Sequence, residues 1–392
     1  MVTPTPTNLR IISQTGRKIV DARFFSREGV LWLLAAFGFL VVGVVKSINL
    51  VILLSYVMLG IWLLNLVQAG RSLHGIRAIR RAIPPLFAGE VGEWEILLTR
   101  QGTTRGDFLV VESYGGVSSA WWISGLSPGM NYTLAVRARF SRRGRYLIVP
   151  MLAMDGSPFG LVRRSNVVAE GDEIIVFPRP ATVDLDRLRG LLRWTWARTD
   201  DERHQVRRMM ETGLEIHGLR EYRTGDGYRK IDWKATARTN KLIVREFEES
   251  TPSRILLIIE PYLQLPAEQP ALEQLESLFS VAAGLTYEWR RPVGGALSLI
   301  IAGEKPVTID GPPGPGMIPH MLRAMALEKG GPAGDITSAL MELSRGALKS
   351  PVLVLTTHPQ SPTAAAAQAL LGRTVTVLTI DAQSDWFELS KE

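Results

Sequence analysis

Two apolar runs near the start of the chain restrict its folding more than any other feature. Val30 to Val45 (VLWLLAAFGFLVVGVV) carries no charge and no strongly polar side chain. Leu50 to Val67 is apolar apart from Ser55 and Asn65, and only Lys46-Ser47-Ile48-Asn49 separates the two runs. A spanning helix takes about 20 apolar residues, within roughly 17 to 25. The second run meets that length. The first reaches it by using Gly29 and the aliphatic stem of Lys46. As a signal-peptide core the first run lacks a small-residue cleavage site, and a second apolar run follows at once. Two buried helices of a soluble core are the other alternative, and continuous apolarity around every helical face argues against it. The expectation is a transmembrane helical hairpin over residues 30–68 behind an N-terminal tail of residues 1–29.

The flanks give an orientation. Arg10, Arg17, Lys18, Arg23 and Arg27 precede the first run, and Arg71, Arg77, Arg80 and Arg81 follow the second, whereas the turn holds Lys46 alone. The positive-inside rule then puts the chain in the cell membrane with both termini cytoplasmic. These arginines also account for much of the net charge of +7, since they suit anionic headgroups without any need for nucleic acid. The chain has no cysteine, which excludes disulfide staples, thiolate nucleophiles and cysteine metal sites.

Residues 86–180 read as β structure. Trp94 to Thr99, Phe108 to Glu112 and Tyr132 to Arg137 are short runs broken by Gly and Ser, the pattern of a β-sandwich or small barrel. Residues 181–212 change character, with many arginines and with Trp194 and Trp196. They suit either an amphipathic helix or, preferably, a connector that packs its Leu and Trp residues on the next domain. His204 has no partner at metal-ligand spacing.

Residues 251–392 alternate strand and helix. Ile255 to Ile259 is a continuous apolar run suited to a strand buried on both faces. Helical spacing follows over Glu273–Arg290, then apolar strands at Ala296–Ala302, Val352–Thr356 and Val375–Ile380 with helices between them. That order implies a doubly wound α/β domain.

Between these domains, residues 213–250 form the densest mixture of charges in the chain. Arg220, Arg223, Arg229, Arg238 and Arg245 are interleaved with Glu221, Asp226, Asp232 and Glu246, and Tyr222 and Trp233 sit among them. A solvated, salt-bridged face is one reading. The Gly225-Asp226-Gly227 turn and the aromatic residues favour an ordered network, with guanidinium forks pairing to carboxylates in fixed geometry.

The run Gly218 to Glu248, GLREYRTGDGYRKIDWKATARTNKLIVREFE, closely resembles the signature of the domain of unknown function 58 family. These are membrane-associated proteins of bacteria and archaea, often encoded beside MoxR-type AAA+ ATPases. The resemblance implies that RRGRYLIVPMLAMDGSPFGLVRR belongs to the family's sandwich and that residues 251–392 form a von Willebrand factor A-like domain. Such domains often hold a divalent cation through an aspartate and two alternate serines after the first strand. This chain has Glu260, Tyr262 and Gln264 there, Thr356-Thr357-His358 after the later strand, and Gly334-Asp335-Ile336-Thr337 near the usual threonine. One carboxylate with a Tyr and a Gln falls short of the oxygen set that a hard cation needs, so the expectation is a degenerate metal site and no cofactor.

Function is then expected to be that of a membrane-anchored scaffold, partner to a MoxR-type ATPase in the assembly or maturation of other proteins. The alternative is a hydrolase, or a nucleic-acid-binding membrane protein, using the charged segment. The chain has no Gly-x-Ser-x-Gly, no His-Glu-x-x-His and 5 histidines. Asp226 and Asp232 among arginines would stay ionised, which suits a general acid poorly. Basic residues nearly matched by acids attract phosphate weakly, so no nucleic acid is expected.

Overall fold

A computed structural model describes residues 26–101, 106–196, 216–222, 231–239, 241–247, 254–264, 266–290, 295–332, 334–358, 360–380 and 387–389. The N-terminal tail and most of the connector, His204 included, lie outside these residues. The chain divides into two units. The first takes Met1–Ser141 and Arg145–Val176, and the second takes Arg142–Gly144 and Phe177–Glu392.

The first unit begins with helix α1 (Arg27–Val45) and helix α2 (Asn49–Gln68). Both are long and apolar enough to cross a membrane. At about 1.5 Å per residue they measure roughly 28–30 Å, close to the ~30 Å hydrocarbon core of a bilayer. Ser26 caps α1, its Oγ accepting from Gly29 N at 2.9 Å. The buried residues of α1 are Gly29, Ala36 and Gly43, spaced so that small side chains fall on one stripe every two turns. A Cβ on Gly43 would stand 2.8 Å from Ile52 Cγ1, so the close approach of the helices there requires glycine. Trp32 Nε1 donates across the pair to Met58 O at 2.9 Å. Leu31, Leu34, Phe37, Leu50 and Leu53 face outward.

The two polar exceptions in the second apolar run turn out to be its two buried residues, Ser55 and Asn65. Asn65 Oδ1 accepts from Val162 N at 2.6 Å, and its Nδ2 donates to Gly156 O at 3.1 Å. Asp155 works beside it. Its Oδ2 accepts from Gly70 N at 3.1 Å and Ser72 Oγ at 2.5 Å, and its Oδ1 accepts from Ser157 N at 2.7 Å. Gly70 adopts φ +83°, a conformation that a side chain would resist.

The sandwich uses ten strands: β1 (Ile76–Arg80), β2 (Leu86–Phe87), β3 (Val91–Arg100), β4 (Phe108–Tyr114), β5 (Val117–Ile123), β6 (Asn131–Arg139), β7 (Gly144–Ile148), β8 (Met151–Asp155), β9 (Arg164–Ala169) and β10 (Asp172–Phe177). One sheet runs β1-β3-β6; the other runs β2-β10-β7-β4-β8-β9, with β5 on β4. Alternation is clear in β6, where Leu134, Val136 and Ala138 are buried and their neighbours exposed. These pack with Trp94, Ile96, Leu98, Phe108 and Val110 into one core. The sheet starts earlier than residue 86. Strand β1 pairs with β3 from Ile76↔Arg100 to Arg80↔Ile96, and its arginines hid it by resembling a membrane flank. Arg80 Nε instead reaches the fully buried Glu112 at 2.7 Å.

The second unit contains β11 (Thr182–Val183) and helix α3 (Leu185–Trp196), which buries Leu188 and Leu192 on one face. Next come β12 (Ile216–Glu221), helix α4 (Trp233–Thr239) and β13 (Ile243–Phe247). The main sheet comprises β14 (Arg254–Glu260), β15 (Ala296–Ile301), β16 (Val307–Ile309), β17 (Val352–Thr356) and β18 (Thr376–Thr379) in the order β16-β15-β14-β17-β18. Its helices are α5 (Gln269–Arg290), α6 (Ile318–Leu327), α7 (Thr337–Met341), α8 (Arg345–Leu348) and α9 (Pro362–Leu371). A last short strand, β19 (Phe387–Glu388), pairs with β11.

Strands β15, β14, β17 and β18 are parallel, and β16 is an antiparallel edge that the strand–helix alternation did not reveal. On one face Leu256, Ile258, Val352 and Val354 pack with Ala339, Leu340, Ala347 and Ala367 of the helices. Ile255, Leu257 and Ile259 are equally buried on the other face. Both faces of β14 are therefore covered, as its unbroken apolar run requires. The order reverses between β14 and β17, where α/β sheets open a crevice at the strands' carboxyl ends.

Candidate functional site

At that crevice the last residue of β14, Glu260, is fully buried. Both its carboxylate oxygens accept from the chain. Thr356 Oγ1, at the end of β17, donates to Oε2 at 2.6 Å, and Thr363 N donates to Oε1 at 3.1 Å. Thr363 lies in the first turn of α9, whose N-cap Ser361 takes Ala364 N at 2.9 Å. The carboxylate thus ends a buried strand against the positive end of a helix, a favourable placement for a negative charge.

Around it, Thr356 Oγ1 accepts from His358 N at 3.0 Å, and Thr357 Oγ1 donates to Tyr262 O at 3.2 Å. The Tyr262 and His358 rings meet edge to face with centroids 5.0 Å apart. Gln264 is exposed. Asp335 accepts from Thr337 N at 2.9 Å and Thr337 Oγ1 at 2.6 Å, which holds its carboxyl below the ordinary aspartate range.

This arrangement does not fit a hexacoordinate hard cation. The one carboxylate of the Glu260, Tyr262, Gln264 set is turned to protein donors, and the amide is in solvent. Among the described residues no three His, Asp or Glu side chains stand close enough to hold a metal ion. The sequence signals for this carboxylate clamp were Thr356 at a strand end and the Ser361-Pro362 pair, which marks a helix start.

The charge-dense segment is built on an antiparallel pair. Strands β12 and β13 match Leu219 with Arg245, Arg220 with Val244 and Glu221 with Ile243. At these positions charged residues stand opposite apolar ones on the backbone ladder. Arg223, Asp226 and Arg229 lie outside the described residues, as do the side chains of Arg220, Arg245 and Glu246.

Asp232 caps α4. Its Oδ1 accepts from Lys234 N and Ala235 N at 3.0 Å, and its own N–H donates to Ile243 O at 2.8 Å. Ile243 N in turn donates to Thr236 Oγ1 at 3.0 Å, and Ile231 and Val244 are buried beneath. Tyr222 is half-buried, and its N–H donates to Leu242 O at 2.9 Å.

One expectation needs correction. Trp233, read in the sequence as an aromatic member of an ordered network, is 66% exposed. The reason is that α4 is a two-turn helix with no buried residue, fastened by its cap. Glu221 pairs with Lys241 Nζ at 2.5 Å. That bond, with the Glu221 charge, raises the Lys241 ammonium above its usual range. Only the β12–β13 register brings Lys241 alongside, so residue order did not reveal it. Arg238 is exposed on α4.

The described residues define a multidomain chain: two long apolar helices, a β-sandwich and a parallel α/β unit with an inward-facing switch-point carboxylate. Residues 218–385 match the family described as "Protein of unknown function DUF58". The match takes in the β12–β13 pair and the parallel sheet together. No curated protein matches the chain. Among solved structures, the CARDB domain of a Pyrococcus furiosus protein, in complex with di-metal ions, is 14% identical, covering 26% of this chain and 91% of that one, with a TM-score of 0.21. A β-glucosidase from Listeria innocua in complex with glucose is 11% identical over 26% of this chain and 16% of the enzyme, with a TM-score of 0.20. Likenesses at these TM-scores carry neither fold nor ligand over to this chain.

Proposed function

We propose that this protein is a membrane-anchored interaction scaffold whose partner is a MoxR-type AAA+ ATPase acting in the assembly or maturation of other proteins. The two apolar helices are the anchor, with both termini cytoplasmic. The α/β unit is of von Willebrand factor A type and offers a surface for contacts instead of a cation site. The observation that carries this reading is Glu260: the carboxylate at the switch point is committed to Thr356 and to the start of α9. A fold whose switch-point carboxylate is committed to its own chain is suited to holding shape. The arginine-rich flanks support the orientation, and the exposed Trp233, Lys234 and Arg238 beside the β12–β13 pair supply a charged, aromatic-bearing contact face.

The test is affinity purification of the full chain from solubilised membranes, followed by mass spectrometry of what co-elutes. An AAA+ ATPase is expected with the native chain and is expected to be lost from the Trp233→Ala/Arg238→Glu double variant at unchanged melting temperature. Full recovery of the ATPase by that variant, or none by the native chain, refutes the reading.

A further inference from the structure

We infer that the loop from Gly156 to Val162 is a third membrane contact. Its exposed tip, Pro158 and Phe159, would sit in the headgroup layer, and the arginines beside it would recognise the phosphates of an anionic phospholipid surface. The inference rests on the proposal above that α1 and α2 span a bilayer.

The loop is fixed to both helix ends at once. Gly156 O and Val162 N are held by Asn65, three residues before the end of α2. Leu161 O accepts from Ser26 Oγ at 2.8 Å and from Ser26 N at 3.3 Å at the start of α1. A Cβ on Gly29 would stand 1.9 Å from Leu161 O, so the loop lies directly against the first turn of that helix. Inside the loop, Gly160 N donates to Gly156 O at 2.6 Å, which closes the turn and projects its tip.

Depth follows from length. Helices of roughly 28–30 Å only just fill a ~30 Å hydrocarbon core, so the first turn of α1 and the last turn of α2 lie at its boundary. Phe159 is two residues from Leu161 and so within about 7 Å of that boundary. The headgroup layer itself is only some 5–7 Å deep on each side. Phe159 is 53% exposed. An aromatic ring left uncovered at that depth is placed where aromatic residues collect at membrane interfaces.

Charge agrees with this placement. Arg27, Arg71, Arg163 and Arg164 are all exposed around the same helix ends; the exposed acids near them among the described residues are Glu28, 3.8 Å from Arg163, and Asp107, next to the Gly106 that meets Ser72. Basic residues within reach of a membrane surface are drawn to anionic lipid, and the attraction falls off within a Debye length.

The cysteine-free chain permits a direct test. Single cysteines at Phe159, Leu53 and Val91 are labelled with an environment-sensitive fluorophore, and the full chain is reconstituted into phosphatidylcholine vesicles with and without phosphatidylglycerol. Leu53 faces outward on α2 and reports the span itself. Val91 is 61% exposed at the far end of β3 and reports water.

Phe159→Cys is expected to give blue-shifted emission quenched by lipids brominated near the headgroup, with deeper quenching when phosphatidylglycerol is present. A probe at 159 that matches Val91→Cys, while Leu53→Cys is quenched, overturns the loop contact and leaves the hairpin standing. Water-like emission at both 159 and 53 overturns the hairpin as well. Quenching at 159 that ignores phosphatidylglycerol overturns the arginine–phosphate part.

Discussion

Replacing Glu260 with Gln keeps the shape of the switch point and removes its charge, which makes it the sharpest test of the inward carboxylate. Glu260 is fully buried and accepts two hydrogen bonds, from Thr356 Oγ1 at 2.6 Å and Thr363 N at 3.1 Å. Bonds to a charged group contribute about 1.5–3 kcal/mol each, against about 0.5–1.5 for neutral pairs. The helix end adds roughly 0.3–1 kcal/mol for a negative charge. The glutamine keeps one accepting oxygen and presents an amide N–H₂ to the second donor. The Thr356 hydroxyl can turn to accept from it, so the loss is a weakening of both bonds and not an orphaned group. The sum is about 3 kcal/mol. For a unit of this size that is a fall of about 6–12 °C in melting temperature. Glu260→Ala would leave the Thr363 amide in an apolar surround and should cost more, about 3–5 kcal/mol by analogy with a broken buried pair. The measurement is calorimetry of the purified chain, with hydrogen exchange over residues 362–366 to place the effect at the start of α9. Magnesium is expected to leave the native melting temperature unchanged. The reasoning fails if Glu260→Gln melts with the native chain. It also fails if magnesium stabilises the native chain and not the variant, which would show a carboxylate available to a cation.

Three further outcomes are expected. Asn65→Leu removes the acceptor of the buried Val162 N and one of the two donors to Gly156 O, which keeps Gly160 N; the one buried group left unpaired costs about 1–3 kcal/mol. Protease sensitivity of residues 156–162 in detergent should rise sharply, and an unaltered digestion pattern would contradict the anchoring role. Burial pushes the Asp310 carboxyl up, but bonds from Ser344 and Ser298 and the Arg254 charge outweigh it and hold the group below the ordinary aspartate range. Its folded value is depressed, so its contribution is complete above the unfolded value near ~3.9 and is lost as pH falls through the folded one. The melting-temperature gap between the native chain and Asp310→Asn should therefore narrow on acidification below about pH 4, and a gap that widens would refute the assignment. The Lys241–Glu221 pair has both side chains about two-thirds exposed, at 66% and 65%, so Lys241→Met should leave the melting temperature where it was. A marked fall would mean that the pair is part of a buried network.

The parts of this chain that were legible in its sequence are those where burial alone dictates residue type. The run Ile255–Ile259 is apolar because helices cover β14 on both sides, and Leu134, Val136 and Ala138 alternate because β6 has one covered face. Polar residues were harder to read, because a polar side chain can answer to solvent, to a partner or to an unsatisfied backbone group, and composition does not say which. Asn65 looked like a tolerated blemish in a spanning run and is the group that holds a loop to the helix end. Arg80 looked like a membrane flank and is a strand residue paired with a buried glutamate. Asp232 was expected to gather arginines; two of its bonds go to the backbone N–H groups at the start of α4.

These cases share a physical cause. Helix starts, strand ends and close chain crossings leave backbone donors that must be satisfied, and short polar side chains reach them more cheaply than long ones reach each other. Glu260 fits the same rule: at the end of a buried strand one of its oxygens accepts from a helix-start amide, Thr363 N. A polar residue within one or two positions of an element boundary is therefore best tested first as a cap or clamp, and only then as a ligand.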